Sequence, residues 1–92
     1  MSKIRTYAPM AKYLILKDGR FVKDPIMPEL FTQSNALSIA EAERAFAAWE
    51  ANENFKLTEC WIDIFETNDD GESSIVETIK YRKKWVPENG QN

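Results

Sequence analysis

The side chains that most readily perform acid–base or nucleophilic chemistry are scarce in this sequence. Its 92 residues include no histidine and one cysteine, Cys60. Without histidine there is no imidazole base, no Ser-His or Cys-His nucleophile pair and no histidine-ligated metal site. A single thiol cannot close a disulfide within the chain or build a cysteine-only zinc site, and it suits a reducing compartment. We therefore expect no catalytic residue, no metal, no cofactor and no small-molecule substrate.

Three carboxylates, those of Glu59, Asp63 and Glu66, lie close together in a segment rich in β-branched and aromatic residues. Residues four apart in a strand share a face, so Glu59 and Asp63 are placed to form a pair. Such a pair performs acid–base catalysis in a cleft that separates its two pKa values. A chain of this length has a thin core with little room for that cleft. We interpret the three carboxylates as solvated, or as ion-pair partners of a basic strand opposite them.

Residues 66–77 match a calcium-binding EF-hand loop at several positions. Oxygen-bearing side chains stand at Asn68, Asp70 and Glu77, with glycine at Gly71, where that loop needs them. The first position departs from the pattern because it is a glutamate, and the flanking residues favour strands over helices. We interpret the segment as an acidic β-turn and keep a calcium-responsive module as an alternative.

The clearest capacity for binding lies in the cationic residues, four of which fall within residues 80–85. In a strand, Lys80, Arg82 and Lys84 would share one face and could contact successive phosphates of a nucleic acid. The rings of Tyr81 and Trp85, if exposed, could stack on unpaired bases. The same segment also fits a strand neutralised by neighbouring carboxylates, with its aromatic rings packed under a helix. The candidate partner-binding or nucleic-acid-binding residues are Lys17, Arg20, Lys23, Lys80, Tyr81, Arg82, Lys83, Lys84 and Trp85.

The formal net charge of −3 conceals a segregation of charge along the chain. Residues 1–23 have a net charge of +5, residues 24–79 of −11 and residues 80–92 of +3. We expect the C-terminal strand to lie beside the first hairpin, so that the two basic segments join and the helix carries negative charge on the opposite side. Such a molecule could touch a nucleic acid with one face and a basic protein groove with the other.

Local patterns predict two elements in the first half of the chain. Asp18-Gly19 between two apolar runs predicts a β-hairpin with a type I′ turn. The predicted pairs are Lys17 with Arg20, Leu16 with Phe21 and Ile15 with Val22. Residues 24–37 contain two prolines and are predicted to form a long loop folded back over one end of the sheet.

A capping box at Ser38 and Glu41 predicts that a helix begins there. Helical spacing predicts a buried stripe of Ile39, Ala42, Ala45, Phe46 and Trp49. Of these, Trp49 is expected to anchor the core. Residues 55–67 and 75–86 predict a second hairpin, because both segments favour strands and turn-forming residues separate them.

The order of these elements predicts an α+β fold. We expect a ββαββ-like antiparallel sheet with one amphipathic helix packed on one face. The domain would span residues 1–92, with flexible ends at residues 1–11 and 87–92. The basic N-terminus is followed by no apolar stretch long enough for a signal peptide or a membrane span, so we expect no membrane partner.

The whole pattern resembles the small phage-encoded anti-CRISPR proteins, in particular the inhibitors of type I-F systems. The resemblance lies in the opening hairpin of residues 12–19, the helix from Ser38 and the closing hairpin that ends with residues 77–85. These proteins share no motif, so no residue role is carried over. The resemblance implies a non-enzymatic inhibitor that acts in the cytoplasm of the host bacterium. It would bind the backbone subunits and the guide RNA of the type I-F CRISPR surveillance complex and block the hybridisation or binding of target DNA. Separately, we expect a monomer, with a dimer formed through a free sheet edge as the alternative. The residues alone also allow a small single-stranded nucleic-acid-binding or regulatory domain.

Overall fold

The computed structural model describes residues 3–27, 29–31 and 35–81, and these residues form an α+β fold. The elements are β1 (Ile4–Lys17), β2 (Arg20–Lys23), β3 (Glu29–Phe31), α1 (Ile39–Glu50), β4 (Phe55–Thr67) and β5 (Ser73–Tyr81). All strand pairs are antiparallel, in the order β2-β1-β4-β5, and β3 pairs with β1 as well. The prediction of one helix packed on an antiparallel sheet is confirmed.

The first hairpin has the predicted turn and register. Asp18 and Gly19 take positive φ values of 54° and 78°, as a type I′ turn requires. The three predicted cross-strand pairs, from Lys17 opposite Arg20 to Ile15 opposite Val22, are all present. The expectation of a flexible segment at residues 1–11 is wrong from Ile4 onward, because β1 begins there and pairs with β4.

Pro9 lies inside β1, although proline has no backbone N–H to donate. Tyr7 exchanges two backbone hydrogen bonds of 2.9 Å with Ala36, so its backbone polar atoms point away from β4. By the two-residue alternation of a strand, the nitrogen of Pro9 points to the same edge, between Ala36 and β3. The strand therefore accommodates a proline without losing a hydrogen bond to β4.

The segment after β2 follows the edge of β1, whereas a loop over the end of the sheet was expected. Residues 29–31 form β3, which places Leu30 opposite Ala11, and both side chains are buried. Pro25 lies in a bend before β3, so it interrupts the edge ladder without preventing pairing further along. Ile26 in that bend is 89% exposed and is not tucked into the core.

The helix begins where the capping box predicts, since the Ser38 Oγ atom accepts a hydrogen bond of 3.1 Å from the backbone N–H of Glu41. Phe46 is fully buried, and its ring lies 5.3 Å from that of Tyr81. Trp49 is half-buried one turn later, against Phe46. The anchor of the helix is thus Phe46 and not Trp49, because Phe46 lies over the sheet while Trp49 lies near the helix end.

The core lies between α1 and one face of the sheet. The buried apolar residues are Ala11, Tyr13, Leu30, Ala36, Ala42, Phe46, Cys60, Ile62, Ile64 and Tyr81. Those from β4 and β5 lie opposite one another or opposite residues of β1 in the sheet register. Their common face fixes the orientation of the neighbouring side chains on these strands, because successive residues alternate between faces except at the bulges in β4 and β5.

We predict that Phe46→Ala costs about 3–5 kcal/mol of unfolding free energy, because it leaves a cavity under the helix. Trp49→Ala should cost less, because part of the indole already contacts water. Urea unfolding followed by circular dichroism measures both changes. An equal or larger loss in Trp49→Ala would contradict this assignment of the anchor.

Candidate interaction surfaces

The two basic segments of the sequence do not form one surface in the described residues. β5 pairs with β4 and lies two strands away from β1, so the expected contact between the C-terminal strand and the first hairpin is wrong. The reason is the length of β1, which pairs with β4 from Ile4 to Ile15 and with β2 and β3 on its other side. Both sides of β1 are therefore occupied, and β5 takes the outer edge of β4.

The candidate cations of the hairpin point to different faces. Lys17 and Arg20 lie opposite each other at the turn, whereas Lys23 lies opposite Leu14 on the other face of the sheet. Lys80 is exposed and opposite Trp61, and Tyr81 points to the helix side, in the predicted alternation. The candidate residues Arg82, Lys83, Lys84 and Trp85 lie outside the described part of the chain.

Tyr81 is part of the core. Its hydroxyl donates a hydrogen bond of 2.6 Å to Oε2 of Glu43, and its ring packs edge-on against Phe46. Burial, and then this hydrogen bond, raise the pKa of Tyr81 above its ordinary value. The ring joins α1 to the end of β5, which matches the alternative in which it packs under a helix.

The three clustered carboxylates of β4 have partners other than β5 lysines. Glu66 accepts a hydrogen bond of 2.8 Å from Nε of Arg5 and lies 3.9 Å from Nζ of Lys3. Glu59 lies 3.7 Å from Nζ of Lys12. Asp63 accepts a hydrogen bond of 2.9 Å from the Thr78 hydroxyl. The cations that pair with Glu66 and Glu59 come from β1 or precede it, and not from β5.

Cys60 is buried on the helix side of β4. Burial, and secondarily the nearby charge of Glu50, raise the pKa of its thiol to about 12. A thiol with that pKa is protonated at neutral pH and is a poor nucleophile.

The acidic turn between β4 and β5 is not built as an EF-hand. Strands flank it on both sides where the EF-hand has helices. The Asn68 Oδ1 atom accepts hydrogen bonds from the backbone N–H groups of Asp70 and Glu72, at 2.9 and 3.0 Å. The oxygen that the motif would assign to calcium thus holds the turn together. No group of three or more Cys, Asp or Glu side chains in the described residues is arranged to hold a metal ion.

The sheet face opposite α1, here called the open face, carries no described helix or strand. Cross-strand pairs divide much of it into rows about 7 Å apart. Four successive rows are Phe21–Leu16, Lys23–Leu14–Lys56, Glu29–Lys12–Glu59 and Phe31–Met10–Trp61–Lys80. Phe21, Leu16 and Phe31 are 41%, 41% and 53% exposed. An open groove of about 430 Å³ runs past Lys12 and Trp61 to Lys80.

Sequence reasoning missed this surface, although β1 holds a signal for it. Apolar residues occur there at even positions, such as Met10 and Leu14, as well as at odd positions, such as Ala11 and Ile15. A strand that is apolar on both faces is typical of a sheet covered on both sides. Here α1 covers one side.

Hydrogen bonds between Tyr13 and residues 24–27 fix the position of the chain directly after Lys23. The Tyr13 hydroxyl donates to Oδ2 of Asp24 at 2.6 Å and lies 2.9 Å from the carbonyl oxygen of Met27. Oδ1 of Asp24 accepts from the backbone N–H of Ile26 at 2.8 Å. Burial, and then the bond to Asp24, raise the pKa of Tyr13 to about 12, while the same bond is the main cause that lowers the pKa of Asp24. These hydrogen bonds hold the end of β2 and therefore the position of Lys23.

We predict that Tyr13→Phe costs about 1–2 kcal/mol of unfolding free energy at neutral pH, because Asp24 loses its buried donor. The pKa of this phenol is about 12 in the native protein and about 10 in the unfolded chain. Its contribution is therefore complete below pH 10 and declines as the pH rises toward 12.

Urea unfolding between pH 7 and about 12 tests this, since the alkaline decline should be shallower in Tyr13→Phe than in the wild-type protein. Identical alkaline profiles for Tyr13→Phe and the wild type would contradict the prediction.

Among the described residues, no helix is long and apolar enough to cross a membrane. Comparison with protein-family models found no match for this sequence. Comparisons with curated proteins and with solved structures also found no match.

Proposed function

We propose that this protein is a non-enzymatic inhibitor that binds a type I-F CRISPR RNA-guided surveillance complex and blocks the hybridisation or binding of target DNA. The resemblance of the sequence to anti-CRISPR proteins supplies the class of partner. The observation that best supports a mode of binding is the acidic helix layer, defined as Glu41, Glu43, Glu50 and Glu53.

The acidic helix layer lies on one side of the sheet, away from the lysines of the open face. Residues 38–54 include the four carboxylates of this layer and one cation, Arg44, for a net charge of −3. Glu41, Glu50 and Glu53 are exposed. The sheet separates the α1 carboxylates from Lys23, Lys56 and Lys80 on the open face, whereas Lys17 and Arg20 lie on the same side of the sheet as α1.

A negative surface of this kind suits the basic channel through which a surveillance complex binds DNA. Complementary charge accelerates association and selects the partner. A protein seated in that channel would exclude DNA sterically and would need no chemistry of its own. The buried Cys60 thiol and the paired carboxylates of β4 agree with a binding role.

The proposal predicts that the purified protein co-migrates with a loaded type I-F surveillance complex and blocks its binding to labelled target DNA. Changing Glu41, Glu50 and Glu53 together to glutamine should raise the concentration for half inhibition at least about tenfold. Melting temperature, followed by circular dichroism, verifies that this triple variant is folded.

The acidic β4–β5 turn provides a matched control. Changing Asp69 and Asp70 to asparagine and Glu72 to glutamine removes the same amount of charge from another exposed site. This variant should inhibit like the wild type. Equal effects of the two triple variants would contradict the role of the acidic helix layer, and absence of complex formation by the wild type would refute the proposed function.

A second candidate function, binding of single-stranded nucleic acid, is favoured by the open face. Four lysines, Lys12, Lys23, Lys56 and Lys80, share that face with the exposed Phe31 and the half-buried Trp61. Lysines and aromatic rings together are typical of surfaces that bind unpaired bases. A titration of short labelled oligonucleotides at low salt decides this candidate, since no measurable binding there would exclude it.

A further inference from the structure

We infer that the open face is the interface of a homodimer, in which it packs against the open face of a second copy. This state differs from the monomer that we expect from the sequence, and it uses a sheet face where the sequence leaves a sheet edge as the alternative. The inference rests on the order of the rows across the sheet, and it is independent of the partner proposed above.

The rows of the open face are complementary under one two-fold rotation. Two sheets that pack face to face lie about 10 Å apart with their strands nearly aligned. Consider a two-fold axis that lies between the sheets and runs across the strands. It reverses the order of the rows and places each strand over the same strand of the partner. The second row carries Lys23 and Lys56 and is here called the lysine row, and the third carries Glu29 and Glu59 and is called the glutamate row. With the axis between these two rows, the lysine row of each copy faces the glutamate row of the other.

This arrangement pairs opposite charges across the interface. Lys23 of each copy lies over Glu29 of its partner, since β2 and β3 occupy the same side of β1. Lys56 lies over the partner's Glu59, since both belong to β4. The four contacts formed by these two pairs and their symmetry mates are the ones nearest the axis. A crossing angle of about 30° between the sheets therefore displaces them little.

The same rotation brings apolar rows together on both sides of the charged pairs. Phe21 of one copy faces Phe31 of the partner, and Leu16 faces Met10. Phe21 and Phe31 are 41% and 53% exposed in the single chain, so the contact removes apolar surface from water at both rings. Leu14 faces Lys12, whose aliphatic stem can cover it while its ammonium group stays 3.7 Å from Glu59.

A second copy fits this face better than a nucleic acid does. The lysine row is followed directly by a row with Glu29 and Glu59, and Asp63 lies on the same face beyond Trp61. A phosphate backbone that crosses these rows would meet carboxylates between its cation contacts. Alternating rows of opposite charge match a surface that carries the same alternation in reverse.

Two variants of complementary charge test the dimer by mixing. K23E/K56E makes the lysine row acidic, so in a homodimer it faces an unchanged glutamate row. E29K/E59K makes the glutamate row basic, so it faces an unchanged lysine row. We expect each variant alone to lose at least about tenfold in dimer affinity. An equimolar mixture should recover a heterodimer, because each of the four contacts between these two rows across the interface is again between opposite signs.

Sedimentation equilibrium of the full chain, from micromolar to millimolar concentration, measures the mass of each sample. The controls R20E/K17E and D69K/D70K carry the same net-charge changes away from the open face, and each should dimerise alone like the wild type. Three results would overturn the inference: a wild type that stays monomeric throughout, variants that dimerise as well as the wild type, or a mixture that forms no heterodimer. Oligonucleotide binding by a monomeric wild type that K23E/K56E abolishes would assign the open face to nucleic acid instead.

Discussion

The pairing of β1 with β4 is the constraint on which the rest of the structure depends. Their ladder runs from Ile4 opposite Thr67 to Ile15 opposite Phe55, with a bulge after Lys12. These two long strands form the middle of the sheet and supply the face on which α1 packs. Because β4 occupies one side of β1, the chain after the first hairpin can pair on the other side only, and β5 is left to the outer edge of β4.

Elements set by neighbouring residues could be predicted from the sequence, whereas the long-range pairing could not. The turn at Asp18 and Gly19 and the cap at Ser38 depend on backbone and side-chain groups within a few residues, so their signals are local. The first half of β1 has no such signal, because Pro9 argues against a strand unless the edge it faces is known. Because the sequence predicts a flexible segment at residues 1–11, it does not reveal the long pairing of β1 with β4. The predicted position of the C-terminal strand is wrong as a consequence.

The candidate site shows the same division at the level of single side chains. Adding charge by segment correctly identifies where cations are abundant, but it does not give the face on which each one lies. Lys17 and Lys23 are six residues apart across a two-residue turn, and the alternation of the strands sends them to opposite faces. The bulge after Lys12 also shifts the register of β4, so that Lys56 and Glu59 share the open face although their positions differ in parity. Registers, not composition, therefore reveal the rows of alternating charge.

The acidic helix layer and the open face together specify how a dimer would be oriented toward a larger partner. Each copy carries α1 on the side of its sheet opposite the open face. Packing of the two open faces buries the lysine and glutamate rows against each other and leaves the two acidic helix layers on opposite outer sides. Such a dimer would present two equivalent negative surfaces to a partner with repeated basic subunits. If both surfaces engage one assembly, the second contact becomes intramolecular and its effective concentration rises, so that modest individual contacts give slow release. Binding through the acidic helix layer and dimerisation through the open face would thus use different residues of the same fold, so that one would not prevent the other.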